Sequence, residues 1–258
     1  MPNSKFWNFK ASDESSAELF LYGEISNSTW WGDEITPKQF KKDLDAMGDV
    51  KDLKIYINSG GGDVFAGQAI HSMLKRHGAY KTVYIDGLAA SIASVIAMAG
   101  DKIIMPSNAM MMIHDAWTIA AGSASQFRKL ADDMDKVDES IISTYVNKTG
   151  KESTEIQNLM HAETWMTADD ALASGFTDEI EQEKKLAASL DDGYFNLNGQ
   201  RFDMSKYKNP PKIEPLITDD SRDESRPVSD NQKTQFRNIR TKILSAYEEG
   251  NKTWMQKS

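Results

Sequence analysis

Between Ser125 and Val146 the apolar positions Phe127, Leu130, Met134, Val137, Ile141 and Tyr145 step by three or four residues, which predicts a long amphipathic helix. Its opposite face carries Asp132, Asp133, Asp135 and Glu139 and belongs in water. Upstream the pattern changes to short apolar runs. Leu19–Ile25, Lys54–Ile57, Thr82–Ile85, Ile103–Met105 and Met110–Ile113 read as strands. Helix signals fall between them. Thr36 is an N-cap with Pro37 at the first helical position and Gln39 closing a capping box, and Phe40, Leu44 and Met47 share one face. A second helix runs from the glycine-rich stretch Asn58-Ser59-Gly60-Gly61-Gly62 to about Arg76, and an Ala-rich third follows the tight turn Gly87-Leu88-Ala89-Ala90-Ser91 and reaches Ala99. Strand, turn and helix thus recur, and parallel strands joined by crossover helices are the simplest architecture that fits. In such folds the loops at the strand C-terminal ends hold the site. Shorter helices at Glu155–Met160 and Ala168–Ser174 and an edge strand at Phe176–Ile180 close the unit.

After Lys185 the character changes. Tyr194 to Phe202 reads as a hairpin about Asn198-Gly199, a favoured turn pair, and Asn209-Pro210-Pro211 breaks regular structure. The stretch from Asp219 to Gln232 has hardly an apolar side chain and reads as a disordered linker. A last amphipathic helix carries Phe236, Ile239, Ile243, Leu244 and Tyr247. The chain is therefore divided into an N-terminal segment (1–18), a main α/β domain (19–186), a hairpin extension (187–208), a polar linker (209–232) and a C-terminal helix (233–258).

Composition narrows the function classes. A hydrophobic share of 40% suffices for a core, while a mean hydropathy of −0.55 requires a strongly polar part, which is the tail. A formal charge of −9 disfavours nucleic acid and anionic membrane as partners. With no run of about 18 apolar residues and no signal-like start, the expected location is the cytoplasm. The absence of cysteine removes disulfides, thiol nucleophiles and cysteine-based metal sites, and no His-Glu-x-x-His cluster suggests zinc, so neither metal nor other cofactor is expected.

Three features carry candidate chemistry. Ser91 stands at a small-residue turn that feeds a helix, where its hydroxyl would be lifted clear of the sheet and the amides of the first helical turn would face an anion; plain packing gives the same pattern. Gly87, Ala89 and Ala90 would leave space for a substrate backbone. The glycines at 60–62 permit positive φ and bare amides suited to a phosphate or an oxyanion, or form a flexible turn, but lack P-loop spacing. Of the four histidines, His71, His77 and His161 lie in polar surroundings and read as solvated, whereas His114 ends the buried run Met110-Met111-Met112-Ile113. Together these give a nucleophile, a base and two sets of amides for a tetrahedral intermediate.

Over about Leu19 to Ile180 the sequence resembles the ClpP family of serine peptidases. Four blocks carry the likeness in the family's order: Tyr56-Ile57-Asn58-Ser59-Gly60-Gly61-Gly62, Gly87-Leu88-Ala89-Ala90-Ser91, Met112-Ile113-His114, and Trp165-Met166-Thr167-Ala168 through Gly175-Phe176-Thr177-Asp178. The resemblance implies a ClpP/crotonase-type spiral of ββα units with a long handle helix and a C-terminal appendage. It implies Ser91 as nucleophile, His114 as base, Glu163 as the third triad member, the amides of Gly62 and Ile92 as oxyanion donors, and Gly61, Gly62 and Ala116 as substrate contacts. Asp178 and Asp115 are the other acids considered, Asp115 being expected to point away from His114 and Asp178 to be structural. It also implies a ring, heptameric and stacked in pairs through the handle.

The departures are specific. Glu163 stands where the housekeeping enzymes usually carry Asp, Ala162 replaces an Arg, Gly60 replaces a Pro, and the start shows no clear motif for docking an unfoldase. The short Phe-Trp-Asn-Phe start, Trp30-Trp31-Gly32, Glu163-Thr164-Trp165 and the acidic tail resemble the head-maturation (prohead) proteases of tailed phages. That likeness implies ATP-independent cleavage of capsid, scaffold or portal protein in a bacterial cytoplasm. Its tail helix would either dock the enzyme on a partner or fold back on the core. The competing readings are a ClpP-like subunit working with an ATPase unfoldase, and a crotonase-type acyl-CoA enzyme or inactive scaffold ring on the same fold.

Overall fold

The computed structural model describes residues 5–12, 15–26, 36–183, 188–191, 194–197 and 200–210. Trp30-Trp31-Gly32, the Asn198-Gly199 turn, the linker from residue 211 onward and the C-terminal helix lie outside the described residues. Two N-terminal strands, β1 (Trp7–Ala11) and β2 (Ser16–Tyr22), form an antiparallel hairpin, of which the hydrophobic pattern had suggested only the second. Then come α1 (Pro37–Asp45), β3 (Asp52–Ser59), α2 (Val64–Arg76), β4 (Tyr80–Ala90), α3 (Ile92–Ala97), β5 (Lys102–Pro106) and β6 (Met110–Ile113). After these follow α4 (Ala124–Thr149), α5 (Ser153–His161), β7 (Thr164–Thr167), α6 (Ala168–Ala173) and β8 (Glu179–Glu181), and past them β9 (Ala188–Asp191), β10 (Tyr194–Leu197), β11 (Gln200–Asp203) and a 3₁₀ turn at Met204–Lys206.

The expected α/β class is what forms. The main sheet has the order β1-β2-β3-β4-β5-β8, with parallel pairing from β2 onward. Alternation in β3 sends Leu53, Ile55 and Ile57 into the core, where Leu19 and Leu21 of β2 and Val83 and Ile85 of β4 join them. On the opposite face Phe20, Tyr56 and Tyr84 stack across three strands at 4.8 and 5.2 Å between centroids.

Strand β4 determines where the site lies. Residues 87–90 are not the tight turn expected from their small side chains but a continuation of the strand. The first half, Thr82–Tyr84, pairs with β5, while Leu88–Ala90 pairs with β6 instead. Beyond Tyr84 the strand therefore leaves β5 and, from Leu88, takes a new neighbour, which itself pairs antiparallel with β7. The space that Gly87, Ala89 and Ala90 were expected to leave for a substrate is filled: a Cβ at Gly87 would stand 2.4 Å from Leu197 Cδ2, and both alanines are fully buried.

Helix ends follow their sequence signals. The Thr36 hydroxyl accepts from the Gln39 amide at 3.2 Å, although the Gln39 side chain bonds Asp43 rather than closing the expected box. Asp63 caps α2 through the Ala66 amide at 2.7 Å, and α4 ends at Gly150 in the left-handed region, φ 71. Only Ile141, Ile142 and Tyr145 of α4 are buried; its first half stands away from the core with Phe127 47% exposed. His71, expected in solvent, is instead buried enough on α2 to push its pKa down to about 4.

Helices α2 and α3 cross closely at Gly67. A Cβ there would lie 2.2 Å from Ile92 Cγ1, so Gly67→Ala should lower stability by about 1–3 kcal/mol through overpacking. Gly78→Ala meets nothing within 4 Å and serves as the control, within about 1 kcal/mol of the parent or slightly more stable. Urea denaturation of the two variants checks both expectations.

Candidate active site

Ser91 lies alone between β4 and α3 with φ 55 and ψ −132, a conformation that L-residues rarely adopt. Its amide donates to the Met112 carbonyl at 2.9 Å, across the same ladder that pairs Ala90 with Met112. Its carbonyl accepts from the Ser94 amide at 2.9 Å and the Ser94 hydroxyl at 2.6 Å. Since that carbonyl can only accept, the Ser94 proton is committed to it, and the Tyr145 hydroxyl must be the donor in the 2.8 Å contact with Ser94 Oγ. Burial pushes the Tyr145 pKa up, which keeps that proton in place. A buried relay from α4 thus fastens the strained turn.

The ladder also delivers the histidine. Because β6 runs parallel to the end of β4, the residue following β6 lies beside the residue following β4, and His114 Nε2 is 2.8 Å from Ser91 Oγ. Burial lowers the His114 pKa below its usual value, while the negative charges of Glu163 and Asp115 oppose the shift. A neutral imidazole with its proton on Nδ1 presents Nε2 as an acceptor for the Ser91 hydroxyl.

Gly61 packs directly on Ser91: a Cβ at Gly61, φ 95, would meet Ser91 Cβ at 2.7 Å and the Ala90 carbonyl at 2.9 Å. At Gly62, φ 145, it would fall 2.0 Å from the Ile25 carbonyl oxygen. The bridge from this loop to Ile25 uses the Gly61 carbonyl and the Asp63 amide, which leaves the Gly62 N–H outside it. Ile92 is the first residue of α3, so its amide has no acceptor within the helix. Gly61, Gly62, Ser91, His114 and Ala116 line one cleft of about 480 Å³ together with the exposed Trp117. Ala116 contributes there without its amide, which donates to Asp138 at 2.8 Å.

The acids are distributed differently. Asp115 accepts at 2.6 Å in its contact with His161 Nδ1, and Asp178 binds Lys148 at 2.7 Å and the Ile103 amide at 2.7 Å. Glu163 is buried, with φ 49, and lies near enough for its charge to act on His114. Its carboxylate is not hydrogen-bonded to that imidazole. Oε2 accepts from the Lys208 amide at 2.6 Å, and Oε1 accepts from the Asn209 amide at 2.6 Å and from Trp165 Nε1 at 3.2 Å.

Residues past 190 complete the cleft, which sequence reasoning did not foresee. Tyr194, Arg201, Phe202, Asp203, Lys206 and Tyr207 line it together with Gly60–Gly62. Leu197, Phe202 and Met204 pack on Leu88, Ala90 and Met112, and buried Asn58 donates to the Leu197 carbonyl at 3.1 Å. The apolar spacing of Phe195, Leu197, Phe202 and Met204 is the signal that this segment packs on something. Among the described residues no group of three or more acidic or histidine side chains could hold a metal ion, and no helix is long and apolar enough to cross a membrane.

Comparison with known proteins gives one family. Residues 16–184 match the family described as Clp protease. The ATP-dependent Clp protease proteolytic subunit of Porphyromonas gingivalis is 32% identical over 140 residues, which are 53% of this chain and 63% of that one. The protein of the same description from Streptococcus equi subsp. equi is 33% identical over 148 residues, 56% of this chain and 76% of that one. The match ends where the extension begins.

The electrostatics give a direct expectation. In an NMR titration His114 should protonate below the usual 6.5. Glu163→Gln should lower that midpoint further, because it removes a charge that favours the imidazolium. A midpoint above 6.5, or an upward shift in the variant, would contradict this electrostatic picture.

Proposed function

The chain belongs to the Clp protease family, and from that premise we propose that it is a serine endopeptidase in which Ser91 attacks the peptide carbonyl and His114 takes its proton. The 2.8 Å contact between Ser91 Oγ and His114 Nε2 carries the reading. The serine proton moves to Nε2 as the acyl bond forms, and the imidazolium then protonates the leaving amine. The Gly62 and Ile92 amides are the proposed oxyanion donors, their N–H groups standing at the strained turn and the glycine loop on either side of Ser91. Gly61, Gly62 and Ala116, which line the cleft, are the proposed contacts of the substrate backbone. The third position is assigned to Glu163, which is buried close to His114 and raises its basicity by charge.

The proposed substrates are assembling capsid, scaffold or portal proteins, cut without an ATPase. The resemblance of the Phe-Trp-Asn-Phe start, Glu163-Thr164-Trp165 and the acidic tail to head-maturation proteases supports this, as does a cleft walled by a segment outside the family match. A second reading has its own observation: the relatives named above are subunits of ATP-dependent proteases. Processing of co-expressed capsid protein without added unfoldase and ATP separates the two, and a strict requirement for both would favour the second.

Ser91→Ala and His114→Ala should each lower kcat by roughly 10⁴-fold or more, and combining them should cost little extra, because the two act as a unit. A fluorophosphonate should add its mass at Ser91 alone, and full turnover by folded Ser91→Ala would overturn the assignment. Self-association into a ring is proposed from the exposed first half of α4, with Phe127 at 47%, and from Ile119 at 88%. Sedimentation should show a species several times 28.9 kDa at micromolar concentration, and Phe127→Glu should weaken it; a monomer throughout would contradict the ring.

A further inference from the structure

The Glu163 carboxylate has two claimants. One is the His114 imidazole, whose Nδ1 proton needs an acceptor when Nε2 receives the serine proton. The other is the chain's own segment 207–209. The second holds it here, through two charge-assisted bonds of 2.6 Å from the Lys208 and Asn209 amides. The same segment is seated across the cleft. The Tyr207 hydroxyl donates to the Gly60 carbonyl at 2.7 Å, and its ring lies edge-on to Trp165 at 5.2 Å and to His114 at 6.2 Å. The Gly60 carbonyl is a backbone acceptor at the rim of the cleft, of the kind an extended peptide pairs with when it lies along a strand edge. Tyr207 occupies it, and Phe202 closes on the same glycine.

We infer that residues 207–209 are an autoinhibitory strap, which withholds the Glu163 carboxylate from His114 and fills the peptide-pairing edge at Gly60 until it is displaced. This rests on the Ser91 and His114 reading above. Glu163 acts through His114 and is a positioning residue. With the strap in place Glu163 acts on the imidazole by charge alone and accepts no hydrogen bond from it, so the protonated form gains less than a direct bond would give and Ser91 is a slower nucleophile. A polypeptide entering the cleft competes for Gly60, and loss of that anchor frees the amides at 208 and 209. The longer side chain of a glutamate is what lets one carboxylate serve either position by rotation about its own bonds.

The grip can be loosened in the full-length chain without touching the core. Tyr207→Phe removes the hydroxyl bond and keeps the ring. Lys208→Pro removes one donor to Glu163, and Tyr207 already has φ −106 and ψ 146, the extended region that a following proline requires. In the double variant the rate of fluorophosphonate labelling at Ser91 and kcat on a small peptide should rise, on the order of 5–150-fold for a coupling of ordinary size. The acid limb of the kcat/KM profile should move to higher pH. Glu163 and Asp115 are the groups whose charges act on His114, with the Tyr207 ring beside it, and pairing with Glu163 together with reduced burial raises its basicity. Both gains should disappear when Glu163→Gln is added to the double variant. A gain that persists in that triple variant, or an unchanged or lower rate in the double variant, overturns the strap. Equal labelling of Ser91 in all variants overturns it while leaving the peptidase reading intact, whereas no labelling in any folded variant removes that reading and the strap with it.

Discussion

Ser91 occupies a backbone conformation that costs on the order of 1–3 kcal/mol, and the rest of the molecule is arranged so that it cannot relax. Its amide is fixed to the β6 strand through Met112 and its carbonyl to the first turn of α3 through Ser94, which is itself fastened to Tyr145 on α4. The bond to Met112 belongs to the ladder that also brings His114 alongside, so the strain and the serine–histidine contact have one origin. If β4 had continued to pair with β5 beyond Tyr84, neither would exist.

Much of this was legible in the chain. Helix α2 ends at Arg76, where the reading of a helix leaving the glycine-rich stretch had put it, and Met110–Ile113 declared itself a buried strand by having no polar position. The pairing of Ser91 with His114 was legible only as motifs in a known order, because the distance between them depends on which strand adopts the second half of β4. The stretch 87–90 read as a turn, since Gly and Ala disfavour strands locally; in the fold Gly87 and Ala90 lie where Leu197, Phe202 and Met204 pack, while Ala89 belongs to the main core. The extension was read as a hairpin, yet its destination could not be, as nothing in an alternating segment names the surface that it covers. β7 was missed for the same reason: four residues with two half-buried positions leave no clear period.

Glu163 shows how little a local alignment says about the bonds a side chain makes. The residue arrives beside His114, buried and with φ 49, but the bonds its oxygens make depend on amides 45 and 46 positions away. A carboxylate in a closed environment is attracted to whichever donors are best aligned, and backbone amides held by a packed segment compete well with a single imidazole N–H. The chemistry of the site is therefore shared between a matched core and a segment outside it.

That division has a bearing on how such a protein can diversify. Gly61 and Gly62 cannot take on a side chain without striking Ser91 or the Ile25 carbonyl, so the floor of the cleft is closed to variation. The lining also includes Arg201, Asp203 and Lys206, whose side chains are borne by a small separate sheet and the turn that follows it. On the proposed peptidase reading, exchanges at those residues would change which sequences fit while the packing around Ser91 stays unchanged, much as a lock is rekeyed without altering its bolt.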